Sequence, residues 1–341
     1  MSIAAIIVNY YTSALVNNLI LDLFASSIIT QIFIVDNSGD YSFDGPCSDF
    51  LVADQDIERE YHRVHVLSPG KNIGFGAGVN LAANLVDTEW ILLLNPDMRV
   101  PLGAVEKLLS GAKSSGAVLA GPRFYWDDGK RFRLPPGLGA SSWMDYALMS
   151  QSMCELDAQH LGFYWQIRHE RFWSSAKPFA EPFLSGACML INRNWAVTRH
   201  DDPEKKWIFD PAFFMYYEDA DLSVSALKSG TLPVCIPDSE MIHYYNQSPA
   251  PNCNKNSLEP GMEKLSMIEN SHGAFKKKHY PSMLFDLKSR GRYEPECSDL
   301  QEIDHYHPFE PDIIICEFDK KTEQSLYSPE NIDVPFFLKS E

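Results

Sequence analysis

The stretch WILLLNPDMRV, Trp90 to Val100, limits what this chain can fold into more than any other segment. Its apolar run suits a strand buried on both faces, as in a parallel sheet covered by helices. Pro96 cannot donate a ladder hydrogen bond, so the strand must end near Asn95. Asp97 is then left at the C-terminal edge of a buried strand, the edge at which open α/β sheets bind ligands.

The flanking sequence supplies partners for that strand. Ala4–Val8, IFIVD, RVHVLS and AVLAGPRFY read as further strands. SALVNNLILDLFAS (with Ser13 as N-cap), GAGVNLAANLVD and residues 102–114 have helical spacing. Alternation of this kind predicts an α/β fold with a mostly parallel, doubly wound sheet flanked by helices. Beyond Trp126, DDGKRFRLPPGLGASS reads as a mobile Pro/Gly-rich loop, and residues 143–180 are aromatic without a clear period. PFLSGACMLINR and LPVCIPDSEMIHYY are strand-like, and FDPAFFMYYEDADLSVSALKSG is a loop entering a helix. Past about Pro281 the chain turns polar and acidic and reads as an accessory extension.

Composition excludes some partners. A net charge of −17 and a pI near 5.0 oppose binding to nucleic acid. The seven cysteines are odd in number, widely spaced and free of CxxC pairs, which argues against a disulfide framework or zinc cluster and for a reducing cytoplasm. The N-terminus lacks the marks of a signal peptide, and no apolar run approaches a membrane span. Lys276, Lys277 and Lys278 read as a solvated helix end, with peripheral contact at the inner face of a membrane as the alternative.

Several stretches place polar groups at the ends of these strands. Asp36 follows the second. GKNIGFGAGVN, with glycines at 74, 76 and 78, precedes a helix and offers backbone N–H groups to a phosphate. Glu218, Asp219 and Asp221 open a later helix, and His243 ends a later strand. Each has a plain structural alternative: a turn, a helix cap, a favourable interaction with a helix dipole, a packed histidine. Taken together they suit transfer from a nucleotide diphosphate. One carboxylate, Asp97, holds a hard divalent cation on the leaving group. A second, from the EDAD cluster, removes a proton from the attacking hydroxyl.

IIVNYYTS, IFIVDNSGD, NIGFGAGVNLA, ILLLNPDMRV, FLSGACMLINR and the EDAD segment occur in one order over roughly residues 3 to 245. In that order the chain resembles family 2 glycosyltransferases of the GT-A fold, within them a rhamnosyltransferase-like branch. The resemblance implies an inverting, Mg²⁺- or Mn²⁺-dependent transfer from a dTDP-rhamnose or UDP-sugar type of donor. The acceptor would be a saccharide or lipid-linked saccharide, in bacterial surface polysaccharide synthesis. It implies that Asp36 reads the base with Asn9 and Tyr10 close by, that Asn72 and Gly74 border the nucleotide, and that Asn95 touches ribose. Asp97 would hold the metal, with His243 as a second ligand. Asp219 would be the base, aided by Glu218 and Asp221, and Gly186 would line the acceptor side. It also implies a catalytic domain over residues 1–284, divided near 125 into nucleotide- and acceptor-binding halves, and an extension over 285–341. Two departures stand out: Tyr10-Tyr11 where the branch has Tyr-Asn, and LSVSALKSG without the branch's arginine. Two rivals remain. One is a catalytically impaired sugar- or nucleotide-binding protein. The other is an NAD-dependent oxidoreductase, favoured by GFGAG with Asp97 about twenty residues on and disfavoured by Val79 at the last glycine position.

Overall fold

The computed structural model describes residues 2–41, 61–136, 169–181, 183–200, 206–245, 247 and 260–289. The strands are β1 (Ile3–Asn9), β2 (Ile29–Asp36), β3 (Val64–Leu67), β4 (Trp90–Leu94), β5 (Met98–Arg99), β6 (Leu119–Tyr125), β7 (Phe179–Ala180), β8 (Cys188–Asn192) and β9 (Val234–His243). The helices are α1 (Ser13–Phe24), α2 (Phe75–Ala83), α3 (Ala104–Ser114), α4 (Arg193–Thr198), α5 (Glu218–Lys228) and α6 (Pro260–Ser289).

One sheet runs in the order β3-β2-β1-β4-β8-β6-β9-β5, with β7 on β9. From β3 to β4 it is wholly parallel. The second half mixes directions: β8 is antiparallel to β4 and β6, whereas β6 and β9 are parallel. Every residue of β1 and β4 is buried, as their apolar sequences require. One face packs against α1 and α3 through Leu19, Leu23, Leu108 and Leu92. The other packs against α2 and α5 through Val79, Leu222, Ile91 and Leu93. Each such side chain contributes about 1.5–3 kcal/mol by leaving water.

Strand β4 stops at Leu94, one residue before Asn-Pro-Asp. Ser13 is not an N-cap: α1 begins at Ser13 itself, and Thr12 turns its hydroxyl to Asn9 at 2.9 Å. The first part of the expected mobile loop is ordered by Asp127, whose carboxylate accepts from the amides of Arg131 and Phe132 and from the Arg131 guanidinium, each at 2.9 Å. Residues 137–142 of that loop lie outside the described residues, as does most of the aromatic segment 143–180.

Helix α6 continues to Ser289, through the boundary expected at 284. The three lysines therefore lie within a helix and not at its end, and the helix runs on past Pro281, which removes one of its backbone hydrogen bonds. Its face at Ser271, Phe275, Lys278 and His279 follows helical spacing and points at the 210–221 segment. Cys188 and Cys235 are buried free thiols; the other five cysteines are outside the described residues. No helix among the described residues is long and apolar enough to cross a membrane.

Candidate active site

The parallel register sets Asn9 beside Asp36 at the C-terminal edge of β1 and β2. Asn9 donates to Asp36 Oδ1 at 3.0 Å and to Ser38 Oγ at 3.1 Å, while its own oxygen accepts from Thr12. Asp36 Oδ1 also accepts from the Ser38 hydroxyl at 2.7 Å, and Oδ2 from the Tyr41 amide at 3.0 Å. Burial alone would raise this carboxyl, but the bonds from Ser38, Tyr41 and Asn9 outweigh it and hold it below its ordinary value. Among the described residues Oδ1 accepts from Asn9 and Ser38, and Oδ2 accepts from the Tyr41 amide alone. Tyr10 follows directly and packs edge-on against Tyr11, with ring centroids 4.7 Å apart.

The glycine-rich loop has a different local purpose from the one its composition suggests. Asn72 caps it by accepting from Gly74 N at 2.9 Å, and Asn37 donates to the Gly74 carbonyl at 3.0 Å. Gly74 has φ 88°, and a Cβ there would lie 2.4 Å from the Phe214 carbonyl oxygen. That carbonyl accepts from Phe75 N at 2.9 Å, so the first N–H of α2 is engaged by the chain itself and not left for a phosphate. Gly76 and Gly78 abut Phe209 and Val8. Gly74 and Gly76 thus let the 208–214 segment dock on α2, and Gly78 lets α2 pack closely on β1 and β2. Asn80 secures the contact, accepting from the amides of Ile208 and Phe209 and donating to the Phe209 carbonyl at 2.7 Å. A dinucleotide-binding loop needs those amides and that close approach for a pyrophosphate, and here protein occupies both.

At the end of β4, Asn95 N donates to the Ala187 carbonyl at 2.8 Å. Two residues on, Asp97 is buried against the end of β9. Its Oδ1 lies 3.4 Å from His243 Nε2, its Oδ2 accepts from Gln247 N at 3.3 Å, and its carbonyl accepts from Tyr244 N at 3.1 Å. Burial raises this carboxyl, but His243 and the Gln247 amide prevail and keep it ionised. Asp97 does not cap the next helix, which starts at Ala104. The pair suits a hard divalent cation. Neighbouring ligands of an octahedral Mg²⁺ stand about 3 Å apart, close to the separation seen. Among the described residues no group of three or more His, Cys, Asp or Glu could complete a protein cage. A cation here would take its other ligands from substrate and water, as Mg²⁺ commonly does.

The second set of carboxylates stands at the start of α5. Asp219 Oδ2 accepts from Gly186 N at 2.9 Å, and Oδ1 from Ala220 N at 2.8 Å. A Cβ on Gly186 would stand 3.3 Å from Asp219, so this glycine admits the carboxylate to the backbone and is not a gap left for a sugar. Burial still raises Asp219 above its ordinary value despite those bonds. Glu218 is pushed up to about 8 by burial first, then by Asp219 and Asp221. Its Oε2 is buried and has no hydrogen-bond partner among the described residues. Asp221 differs: His279 lies 2.6 Å and Lys278 2.8 Å from its Oδ1, and together they override burial and depress its pKa. Its carboxylate anchors α6, as Lys278 does again through Asp210 at 2.6 Å.

Two connections join the Asp97 and Asp219 regions. Gly186, which holds Asp219, adjoins Ala187, which holds Asn95. Tyr216 is near enough to Glu218 and to Tyr245 that both add to burial in raising its hydroxyl. Tyr216 and Tyr217 take φ of 69° and 67°, a strained left-handed pair directly before the carboxylates. Helix α6 holds them: Ser271 donates to the Met215 carbonyl at 2.7 Å, and Tyr217 stacks on His272 with centroids 5.3 Å apart. Asn37, Asn80, the tyrosine pair and the face of α6 are all parts of the site that sequence reasoning missed. Only Asn80 carried a signal, being a poor helix former placed mid-helix.

A family model described as glycosyl transferase family 2 matches residues 5–197, and the chain belongs to that family. Two curated relatives are N-acetylglucosaminyl-diphospho-decaprenol L-rhamnosyltransferases of Mycobacterium tuberculosis, strains CDC 1551 / Oshkosh and ATCC 25618 / H37Rv. Each is 28% identical over 207 residues, 54% of this chain and 60% of the relative. The match thus spans about 60% of the length of those relatives. A crystal structure of GalNAc-T7 with UDP, GalNAc and Mn²⁺ superposes with a TM-score of 0.50 at 12% identity, over 90% of this chain and 54% of that one. The fold is GT-A.

Proposed function

We propose that this protein transfers a sugar, with inversion, from a nucleotide-diphosphate sugar to an acceptor hydroxyl. The observation that carries the reading is the turn 185–187, whose successive residues bond the strand end before Asp97 and the carboxylate of Asp219. Asp36 accepts from the base through Oδ2, with Asn9 fixing its rotamer and Tyr10 beside it. Asn95 reaches the ribose, and Asn72 and Gly74 shape the loop that borders the nucleotide. Asp97 and His243 would hold Mg²⁺ or Mn²⁺, which when bound neutralises charge on the departing diphosphate.

Asp219 takes the proton from the acceptor hydroxyl as that oxygen attacks the anomeric carbon. Its raised pKa makes it a better base than an exposed aspartate once ionised. Glu218 is neutral near pH 7 and offers its proton to an acceptor oxygen. Asp221 acts at a distance, by fixing α6 and through it the strained tyrosines. No arginine follows EDAD within α5, so more of the diphosphate charge falls to the Asp97 site. The M. tuberculosis relatives favour a dTDP-rhamnose type of donor and a lipid-linked saccharide acceptor, reached at the inner face of a membrane. The catalytic domain extends to the end of α6, with its halves meeting near residue 125 and an accessory extension beyond.

The test is a panel of nucleotide sugars with Mn²⁺, read as release of free nucleotide. One donor should stand out, EDTA should abolish its turnover, and Asp97→Ala should weaken Mn²⁺-dependent nucleotide binding. Undiminished turnover in EDTA would remove the metal from the account. No release from any donor would remove the transfer itself.

A further inference from the structure

We propose that Trp126, Phe132 and Tyr245 form a stacking platform for a saccharide ring of the acceptor, at the sheet edge beside His243. The inference rests on the glycosyltransferase reading and names where its acceptor sits. Placement comes from strand register. Tyr125 of β6 pairs with Ile242 of β9, which brings Trp126 alongside His243 at the same sheet edge as Asp97.

The three rings are exposed by 55%, 56% and 64%, yet they are held in place. Trp126 Nε1 donates to the Tyr244 carbonyl at 2.8 Å, which fixes the indole while leaving its surface open. Phe132 sits edge-on to it with centroids 6.4 Å apart, in a hairpin closed by the bond from Trp126 N to the Phe132 carbonyl at 2.9 Å. Tyr245 adopts φ 59°, a left-handed conformation rare for a bulky residue, and its carbonyl accepts from Gln247 Nε2 at 3.0 Å. Its ring lies 5.5 Å from that of His243. Exposed aromatic surface is costly, and backbone strain that presents it adds to the cost. Rings already fixed lose little entropy when a ligand stacks on them.

Charge selects the occupant. Lys130 pairs with Glu240, Arg131 pairs with Asp127, and the Tyr244 hydroxyl donates to Asp128. With Arg133, which bridges to Tyr125, the patch holds three cations and three carboxylates and is locally neutral on a chain of net charge −17. An anionic bilayer surface would call for an excess of Lys and Arg. A neutral sugar ring needs only an aromatic face, whose negative quadrupole attracts its C–H groups, and polar neighbours at the rim.

Ligand-observed NMR on the full chain, with UDP and Mn²⁺ present, tests this using methyl glycosides of N-acetylglucosamine, glucose, galactose and rhamnose. At least one should bind, about tenfold more weakly to Trp126→Ala and nearly normally to Trp126→Phe. UDP–Mn²⁺ binding should be equal in all three proteins, which keeps a failure here distinct from a failure of the donor reading. Absence of binding by every glycoside, or equal binding by Trp126→Ala, overturns the platform. So does loss in Trp126→Ala of binding to phosphatidylcholine vesicles alone, which would make the patch a membrane contact.

Discussion

Replacing Glu218 with glutamine should stabilise the protein, and the gain should grow with pH. Glu218 is buried, and burial with its acidic neighbours pushes its carboxyl up to about 8 from an ordinary 4.5. A carboxyl raised on folding contributes stability that is fully present below its unfolded pKa and is lost as pH rises toward the folded one. At pH 5 the folded state forfeits under about 1 kcal/mol on this account. At pH 7 the difference of two and a half units corresponds to about 3 kcal/mol. Glutamine keeps the shape and a donor but cannot ionise, so the Glu218→Gln protein avoids that loss. Part of the effect belongs to the Glu218–Asp219 pair, because removing one charge also eases ionisation of the other. Urea unfolding at pH 5, 7 and 8.5 reads it directly. The midpoint should be nearly unchanged at pH 5 and higher for the variant by about 1 M at pH 7. A gain independent of pH, or none at any pH, would refute the reasoning that burial and neighbouring carboxylates keep Glu218 neutral.

Gly74→Ala should cost about 2–4 kcal/mol, since it combines a left-handed φ with a Cβ against the Phe214 carbonyl, and thermal unfolding would show it as a lower Tm. The same change should reduce turnover, because it pushes the 208–214 segment off α2. His279→Ala should destabilise by about 2–3 kcal/mol at pH 7 by stripping a partner from buried Asp221. Asp221 is depressed on folding, so its contribution is present above pH 3.8 and lost as pH falls through its folded value. The gap between His279→Ala and wild type, followed by denaturation, should therefore close in acid.

The end of β4 was legible because an apolar run and a proline obey local rules. The same holds for Asp36, Asp97 and the EDAD helix start, each fixed by its position at an element boundary. What the sequence hid is long-range. Gly74 reads as a phosphate loop, and only the fold reveals that Phe214, far along the chain, fills the space. Asp221 reads as a third acid of the cluster, and only the docking of α6 shows it paired with Lys278 and His279. Tyr216 and Tyr217 have no preference for left-handed backbone; tertiary contacts with α6 impose it. Ser13 looked like a cap because serine often is one, but Thr12 stood one residue nearer the turn.

The central claim is that Asp219 handles the acceptor's proton while taking no part in holding the nucleotide. Single-turnover transfer and calorimetric binding of the donor nucleotide with Mn²⁺, both on Asp219→Asn, test it most directly. The account predicts transfer slowed by about a thousandfold or more, with the nucleotide dissociation constant unchanged within about twofold. Near-normal transfer, or a matching loss of nucleotide affinity, would contradict it.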